Sequence, residues 1–213
     1  AAVPEAAPCR LRDAEMLKTA LRELVLDVSV AEVGDELTLL AEVILGHALS
    51  GAETRTGERC GPAPAPFAVL ALGKFGGREM SYGSDLDLVF VYGDPETAPA
   101  PRSMSETEYF AQVASLTVKR LKEPTRHGVL YDVDARLRPD GGKGNIAIPL
   151  SRFIQYYAEE AHPWERFALM KARAVAGDPA LREGLEDAAR NAAFSRRPAL
   201  DALEQMDSLR AKA

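Results

Sequence analysis

Asp85 and Asp87 stand two residues apart in Ser84-Asp85-Leu86-Asp87-Leu88. At the start of a strand, residues i and i+2 point to one face, with Cα atoms about 6.6 Å apart from the strand rise. Carboxylates placed in this way repel each other and are costly to keep ionised without a cation. Mg²⁺ suits them, because it prefers hard oxygen ligands and accompanies nucleotide phosphates. Leu86 and Leu88 then point to the opposite side. A bare Asp-x-Asp also begins strands at solvated edges, so the pair gains meaning only from its surroundings. Gly77 lies eight residues before Asp85 and closes the segment Gly73-Lys74-Phe75-Gly76-Gly77. Glycines let backbone N–H groups approach a phosphate, and a following helix N-terminus adds positive potential. No Gly-Lys-Ser/Thr follows, so this is not a P-loop.

A third segment, Tyr131-Asp132-Val133-Asp134-Ala135-Arg136-Leu137-Arg138-Pro139, carries further charge. Strand alternation places Asp132, Asp134, Arg136 and Arg138 on one face. A face passing from carboxylates to guanidiniums suits metal at one end and phosphate at the other. A solvated strand with cross-strand ion pairs would have the same pattern. Taken together, the three segments describe one site. A glycine turn holds a triphosphate, and Asp85, Asp87 and Asp134 bind two metal ions, the arrangement for in-line displacement at phosphorus.

The elements that must position these residues follow from periodicity. Helices are expected over about 11–28, with Leu17, Leu21, Leu24 and Val28 as the apolar marks, and over about 35–50, marked by Leu39, Val43 and Leu49. Residues 51–66 read as a loop or linker. Phe67–Leu72 is a continuous apolar run that suits a buried strand. A short helix over 78–82, a strand over 86–92 and a Pro-rich loop over 93–105 come next. A helix over 106–121 starts from Ser105 as N-cap. Strands are expected over 129–137 and 146–150, then helices over 151–161, 163–175, 179–191 and 198–212. The fold class is α+β, a small sheet with flanking helices and a C-terminal helical segment. The divisions are 1–66 for N-terminal helices and linker, 67–150 for the core, and 151–213 for the C-terminal helices.

Composition bounds the function. The chain has 213 residues, 46% of them hydrophobic and 27% charged, as in a soluble globular domain. A formal net charge of −6 argues against a sequence-independent nucleic-acid binder. The two cysteines, Cys9 and Cys60, have no metal-ligand spacing, and a reducing cytoplasm is their simplest home. No apolar run approaches the roughly 20 residues that span a bilayer. There is no initiator Met and no secretory signal, and the chain stops within a helical pattern, so both ends are expected to be those of a piece of a longer protein.

The order Gly-Gly, about eight residues, then Asp-x-Asp resembles the polymerase-β-type nucleotidyltransferase core. The longer string from Gly73 to Leu88, with Val133-Asp134-Ala135-Arg136-Leu137-Arg138-Pro139, closely resembles the glutamine synthetase adenylyltransferase and adenylyl-removing family. The segment from Trp164 to Arg173, followed by Gly177-Asp178, is similar to a third motif of that family. The resemblance runs from about Leu11 to Arg210. It implies that Asp85, Asp87 and Asp134 are catalytic metal ligands. It also implies that Gly76, Gly77, Ser84, Arg136 and Arg138 bind the nucleotide, with Lys171 and Arg173 as further charged positions. ATP would be the substrate, Mg²⁺ the cofactor and glutamine synthetase the partner. A PII-type signalling protein would act as regulator, and the other half of a two-domain chain would be missing here.

Family enzymes carry one domain that adds AMP to a tyrosine of the synthetase and one that removes it with phosphate. Leu130–Asp134, Gly142–Ala147 and Glu159–Glu165 resemble the adding version, whereas Trp164–Phe167 and Lys171 lean to the removing one. A docking module of the same fold and a transferase acting on a small molecule or RNA are the competing readings. The triad speaks against the first, and the acidic charge and the long family-like C-terminal segment against the second. No Gly-x-Ser-x-Gly and no Cys–His pair is present, as expected when the attacking hydroxyl belongs to the substrate. His47, His127 and His162 are expected to be structural or on the surface. Trp164 is expected to anchor the core, Phe153, Tyr156 and Tyr157 to pack a helix onto it, and Glu165 to pair with Arg173. The charged run 182–190 is expected to be a solvated helix face.

Overall fold

A computed structural model of the chain describes residues 7–94 and 104–194. The helix expected over 198–212 and most of the Pro-rich loop over 93–105 lie outside them. Two long helices come first, α1 (Ala7–Leu26) and α2 (Val30–Cys60). Ser29 starts α2 with a capping box: its hydroxyl accepts from the Glu32 N–H at 3.3 Å, and the Glu32 carboxylate accepts from the Ser29 N–H at 3.1 Å. The helix runs ten residues past the expected end and leaves only 61–66 as a link. Gly51, Thr54 and Gly57 read as loop chemistry, but Leu45, Leu49, Ala52 and Thr56 continue one buried stripe at helical spacing. Tertiary packing outweighs the weak helix propensity of those residues.

Among the described residues the sheet has five strands: β1 (Phe67–Ala71), β2 (Leu86–Tyr92), β3 (Val133–Asp134), β4 (Ala147–Pro149) and β5 (Arg173–Gly177). Their order is β3-β2-β1-β5, with β4 also beside β2. β1 pairs antiparallel with β2 and β5, whereas β3 and β4 run parallel to β2. The mixed α+β architecture matches expectation. One sheet face, through Phe67, Val69, Leu88, Phe90 and Tyr92, packs on α2 and α4 (Glu106–Lys122). The other, through Leu70, Val89 and Val91, packs on α5 (Leu150–Glu159) and α7 (Pro179–Phe194). Phe153, Tyr156 and Tyr157 fix α5 to that second face, as their apolar spacing predicts. Ser105 caps α4, also as expected.

Four corrections bear on the site. First, residues 173–177 form a strand. The helix α6 (Pro163–Ala168) and a 3₁₀ turn (Leu169–Lys171) end before it. The free edge of β1 recruits this segment, and Gly177 closes it at φ +102°, where an added Cβ would lie 2.1 Å from the Phe67 carbonyl oxygen. Second, β3 has two residues because side chains and turns take the backbone groups of the longer strand expected there. The Arg136 N–H donates to Asp134 Oδ1 at 2.8 Å and the Arg138 N–H to the Arg136 carbonyl at 2.8 Å. Asp132, Asp134, Arg136 and Arg138 therefore do not line one face. Third, the short helix is α3 (Gly73–Gly76), and 78–82 is not helical. Fourth, the apolar marks of α1 face outward: Leu17, Leu21 and Leu24 are 61, 53 and 83% exposed. Leu39 and Val43 of α2 are exposed too. The face of α1 turned to α2 is mixed: Met16 packs on the core, the Thr19 hydroxyl donates to Glu36 at 2.8 Å and Arg22 pairs with the same carboxylate.

The charge run on α7 is not wholly solvated either. Ala174 of β5 gives its N–H to Glu186 at 2.8 Å and receives Arg182 on its carbonyl at 2.8 Å, so two α7 side chains cover the sheet edge. No described helix is long and apolar enough to cross a membrane.

Phe110 of α4 is fully buried and stacks on Phe67 and Tyr92, with centroids at 5.3 and 4.6 Å. Phe110→Ala is expected to destabilise the fold by about 3–5 kcal/mol in urea titration, from lost burial plus the cavity. A loss under about 1 kcal/mol would contradict this packing, because even the mildest large-to-Ala core changes exceed it.

Candidate active site

β2 places the carboxylates. Leu86 and Leu88 are fully buried on the α2/α4 side, so Asp87 points to the other face, as the alternation predicts. The parallel register sets Asp87 beside Asp134, and the Leu86 N–H donates to the Asp132 carbonyl at 2.9 Å. Asp87 is half-buried and its carboxyl is pushed up, first by desolvation and then by the charges of Asp85 and Asp134. Arg136 opposes this shift. Asp85 itself is exposed. Asp134 is held below the usual carboxylate range by Arg136, whose Nη2 lies 2.5 Å and Nε 3.0 Å from its oxygens. The structure thus brings two of the expected aspartates, Asp85 and Asp134, within electrostatic reach of the third, Asp87. Among the described residues, no three acidic, histidine or cysteine side chains converge as a closed metal cage. The donor set nevertheless fits Mg²⁺: hard oxygens only, with a central carboxylate whose charge its neighbours do not compensate.

Gly73 brings the glycine turn against this cluster. Its φ is +55°, and an added Cβ would sit 2.5 Å from Asp87 Oδ2. Gly76 and Gly77 have a packing task that was not foreseen. Their N–H groups donate within the turn, to Leu72 at 2.9 Å and Gly73 at 3.0 Å. The absent side chains make room instead for residue 171: the Lys171 carbonyl oxygen would lie 2.2 Å from a Cβ on Gly76, and its side chain 2.9 Å from one on Gly77. Ser84 folds onto its own loop, where its hydroxyl accepts from the Ser81 N–H at 3.0 Å. Tyr82 in that loop donates to Glu23 of α1 at 3.0 Å.

The two expected arginines differ. Arg136 is exposed and held only through Asp134 among the bonds seen here. Arg138 is committed to the backbone, donating to Asn145 at 2.9 Å, to Gly144 at 3.0 Å and to Ala135. It clasps the loop from 135 to 145, and burial lowers its pKa. Arg173 does not meet Glu165. It pairs with Glu42 of α2 at 2.6 Å and donates to the carbonyls of Phe75 and Gly76 at 3.2 Å each. Glu165 instead accepts from the Tyr156 hydroxyl and the His162 N–H, both at 2.7 Å. Trp164 is 43% exposed and is not a core anchor. Glu42 was not singled out from sequence. Its signal is a charge in the α2 stripe between Thr38 and Leu45, where both neighbours are fully buried.

The chain is thus a small mixed α+β unit with an aspartate cluster at the start of a central strand and a glycine turn beside it. The family model for glutamate-ammonia ligase adenylyltransferase matches residues 6–188, and the chain belongs to that family. A protein of Nitrosococcus oceani is 36% identical over 212 residues, covering 95% of this chain and 22% of its own length. One from Xanthomonas campestris pv. campestris is 41% identical over 152 residues, 70% of this chain and 16% of its own. One from Alteromonas mediterranea is 38% identical over 190 residues, 79% of this chain and 19% of its own. Each is named a bifunctional glutamine synthetase adenylyltransferase/adenylyl-removing enzyme. The chain spans about a fifth of the length of these relatives.

The raised proton affinity of Asp87 predicts a pH dependence. The folded state holds this proton more tightly than the unfolded state, so ionisation costs stability as pH rises through the folded pKa. Asp87→Asn removes that cost. In metal-free buffer its melting temperature should exceed that of the unaltered protein at pH 7, and the difference should shrink as pH falls towards 4, near the ordinary carboxylate value. A variant less stable at pH 7, or a gap independent of pH, would sink this account of the cluster.

Proposed function

We propose that this chain transfers AMP from ATP to a tyrosine of glutamine synthetase in a metal-dependent reaction that regulates nitrogen assimilation. The observation that carries this reading is the half-buried Asp87, flanked by Asp85 and Asp134 and abutting Gly73 of the glycine turn. Membership of the family and the relatives' names support it. In this reading the core, 67–150, is a polymerase-β-like nucleotidyltransferase, with 1–66 and 151–213 as flanking helical segments in a cytoplasmic protein.

Asp85, Asp87 and Asp134 would hold Mg²⁺, two ions in the full reaction. When bound, the metal supplies Lewis acidity that makes the attacking hydroxyl more acidic and stabilises the departing pyrophosphate. The chain's own residues do the rest. The Gly73–Gly77 turn and the Ser84 loop border the cluster and would orient the triphosphate. Arg136, exposed at the rim, offers a guanidinium for phosphate oxygens. Arg138 shapes the loop that leads to it. The nucleophile comes from the substrate. A PII-type protein would act as regulator through parts of a longer chain.

The relatives' names cover a second activity, phosphorolytic removal of AMP, and the same residues would serve it. The test is incubation of the chain with labelled ATP, Mg²⁺ and unmodified glutamine synthetase. The expected result is label on the synthetase with pyrophosphate release, abolished by Asp85→Asn or Asp87→Asn without loss of fold. ADP release from adenylylated synthetase and phosphate, with no forward transfer, would move the assignment to removal. Silence in both assays with a folded chain, or full activity of either aspartate variant, would overturn the catalytic reading.

A further inference from the structure

The far side of the glycine turn is held by charges from two other elements. Phe75 and Gly76 end the one-turn helix α3, and their carbonyls need donors. Arg173 of β5 donates to both, at 3.2 Å each, beside the 3.4 Å bond that the Phe75 carbonyl accepts from the Arg78 N–H. These are long bonds, and a flexible side chain must be fixed elsewhere to keep them. Glu42 of α2 fixes it: Oε1 lies 2.6 Å from Arg173 Nη1, as an ion pair without the alignment of a hydrogen bond. The same oxygen is 3.7 Å from Arg78 Nη1.

Arg78 is the residue that most needs holding. Its φ is +58°, in the left-handed region that costs a non-glycine residue energy unless its surroundings impose it. Asp35 of α2 grips its Nε at 2.7 Å. Gly34 of α2 lets the Arg78 carbonyl come close, within 3.2 Å of where a Cβ would be. The Glu42 side chain is only 20% exposed, so its charge is screened less than the outer Lys171–Glu79 pair, both of whose side chains are 54% exposed.

We infer that Glu42 is a positioning residue: by neutralising Arg173 and Arg78 together it fixes the glycine turn against Asp87, and so sets affinity for the nucleotide. The inference rests on the nucleotide reading of that turn. Without Glu42, two guanidiniums share the space with only Asp35 to answer them. Arg173 keeps two long carbonyl bonds, and the strained Arg78 loses one of the two carboxylates paired with its side chain. The turn, in which a Cβ added to Gly73 would sit 2.5 Å from Asp87 Oδ2, is then less well fixed beside the proposed nucleotide site, whereas β2 and its aspartate keep their own strand pairs.

The test uses Glu42→Gln in the 213-residue chain, with Glu42→Asp beside it. Glu42→Asp keeps the charge with a shorter reach and serves if the first variant does not fold. Amide hydrogen exchange is read over 73–79 and over β2 in the ligand-free protein, and KM for ATP and kcat are read in AMP transfer. Glu42→Gln is expected to speed exchange over 73–79 and leave β2 unchanged. It is also expected to raise KM about tenfold, equivalent to about 1.4 kcal/mol of binding, with kcat nearly preserved. Glu42→Asp should recover part of both. Unchanged exchange over 73–79, equal acceleration in β2, or an unchanged KM would each overturn the inference. If the unaltered chain neither binds nor uses ATP, the function assigned above fails separately, and the exchange data alone still decide whether Glu42 positions the turn.

Discussion

The concentration of negative charge at the end of β2 is the constraint around which the rest is arranged. Asp87 is half-buried beside Asp85 and Asp134, and its carboxyl resists ionisation for that reason. Such a cluster opposes folding unless a rigid frame imposes it. The frame is β2, apolar apart from Asp87, with Leu86 and Leu88 buried beneath α2 and α4. Arg136 neutralises one member of the cluster, and Gly73 lets the chain pass close by another. The apolar core thus supports a polar site that is unfavourable in itself.

Much of the frame was legible in the sequence. Phe67–Leu72 is a continuous apolar run and Leu86–Tyr92 is apolar apart from Asp87, and each region forms a strand whose apolar residues are buried. Ser105 and Glu108 spell a capping box, and α4 starts there. Local chemistry alone specifies such elements. What was not legible depends on distant partners. Nothing within Arg173–Gly177 distinguishes a strand from the end of a helix, because the open edge of β1 makes the choice. The apolar stripe of α1 identifies a helix correctly but not its partner, and the mixed face around Thr19 is the one that meets α2.

The site shows the same division. The aspartates are recognisable by type and spacing, and strand alternation puts Asp87 on its face. The packing of Gly76 and Gly77 was not recognisable, since what approaches them is the carbonyl and the side chain of Lys171, 94 residues beyond Gly77 by subtraction of their numbers. Arg138 donates to three backbone carbonyls, a use that only the course of the 135–145 loop creates. Charge can be seen in a sequence, but its partner is a property of the fold.

The late arrival of β5 has a consequence for how the molecule assembles. β1 meets β2 across a short connection, but its other edge waits for a segment about a hundred residues further on. Until that segment docks, the row of amides and carbonyls on the open side of β1 is a template for any passing strand. Long-range closure of this kind is slow, because the intervening chain must be ordered before the contact repays it. The residue that clamps the glycine turn, Arg173, opens that same segment. Sheet closure and completion of the turn are therefore one event, and a nascent or truncated chain ending before it would be both unclamped and prone to edge-to-edge association.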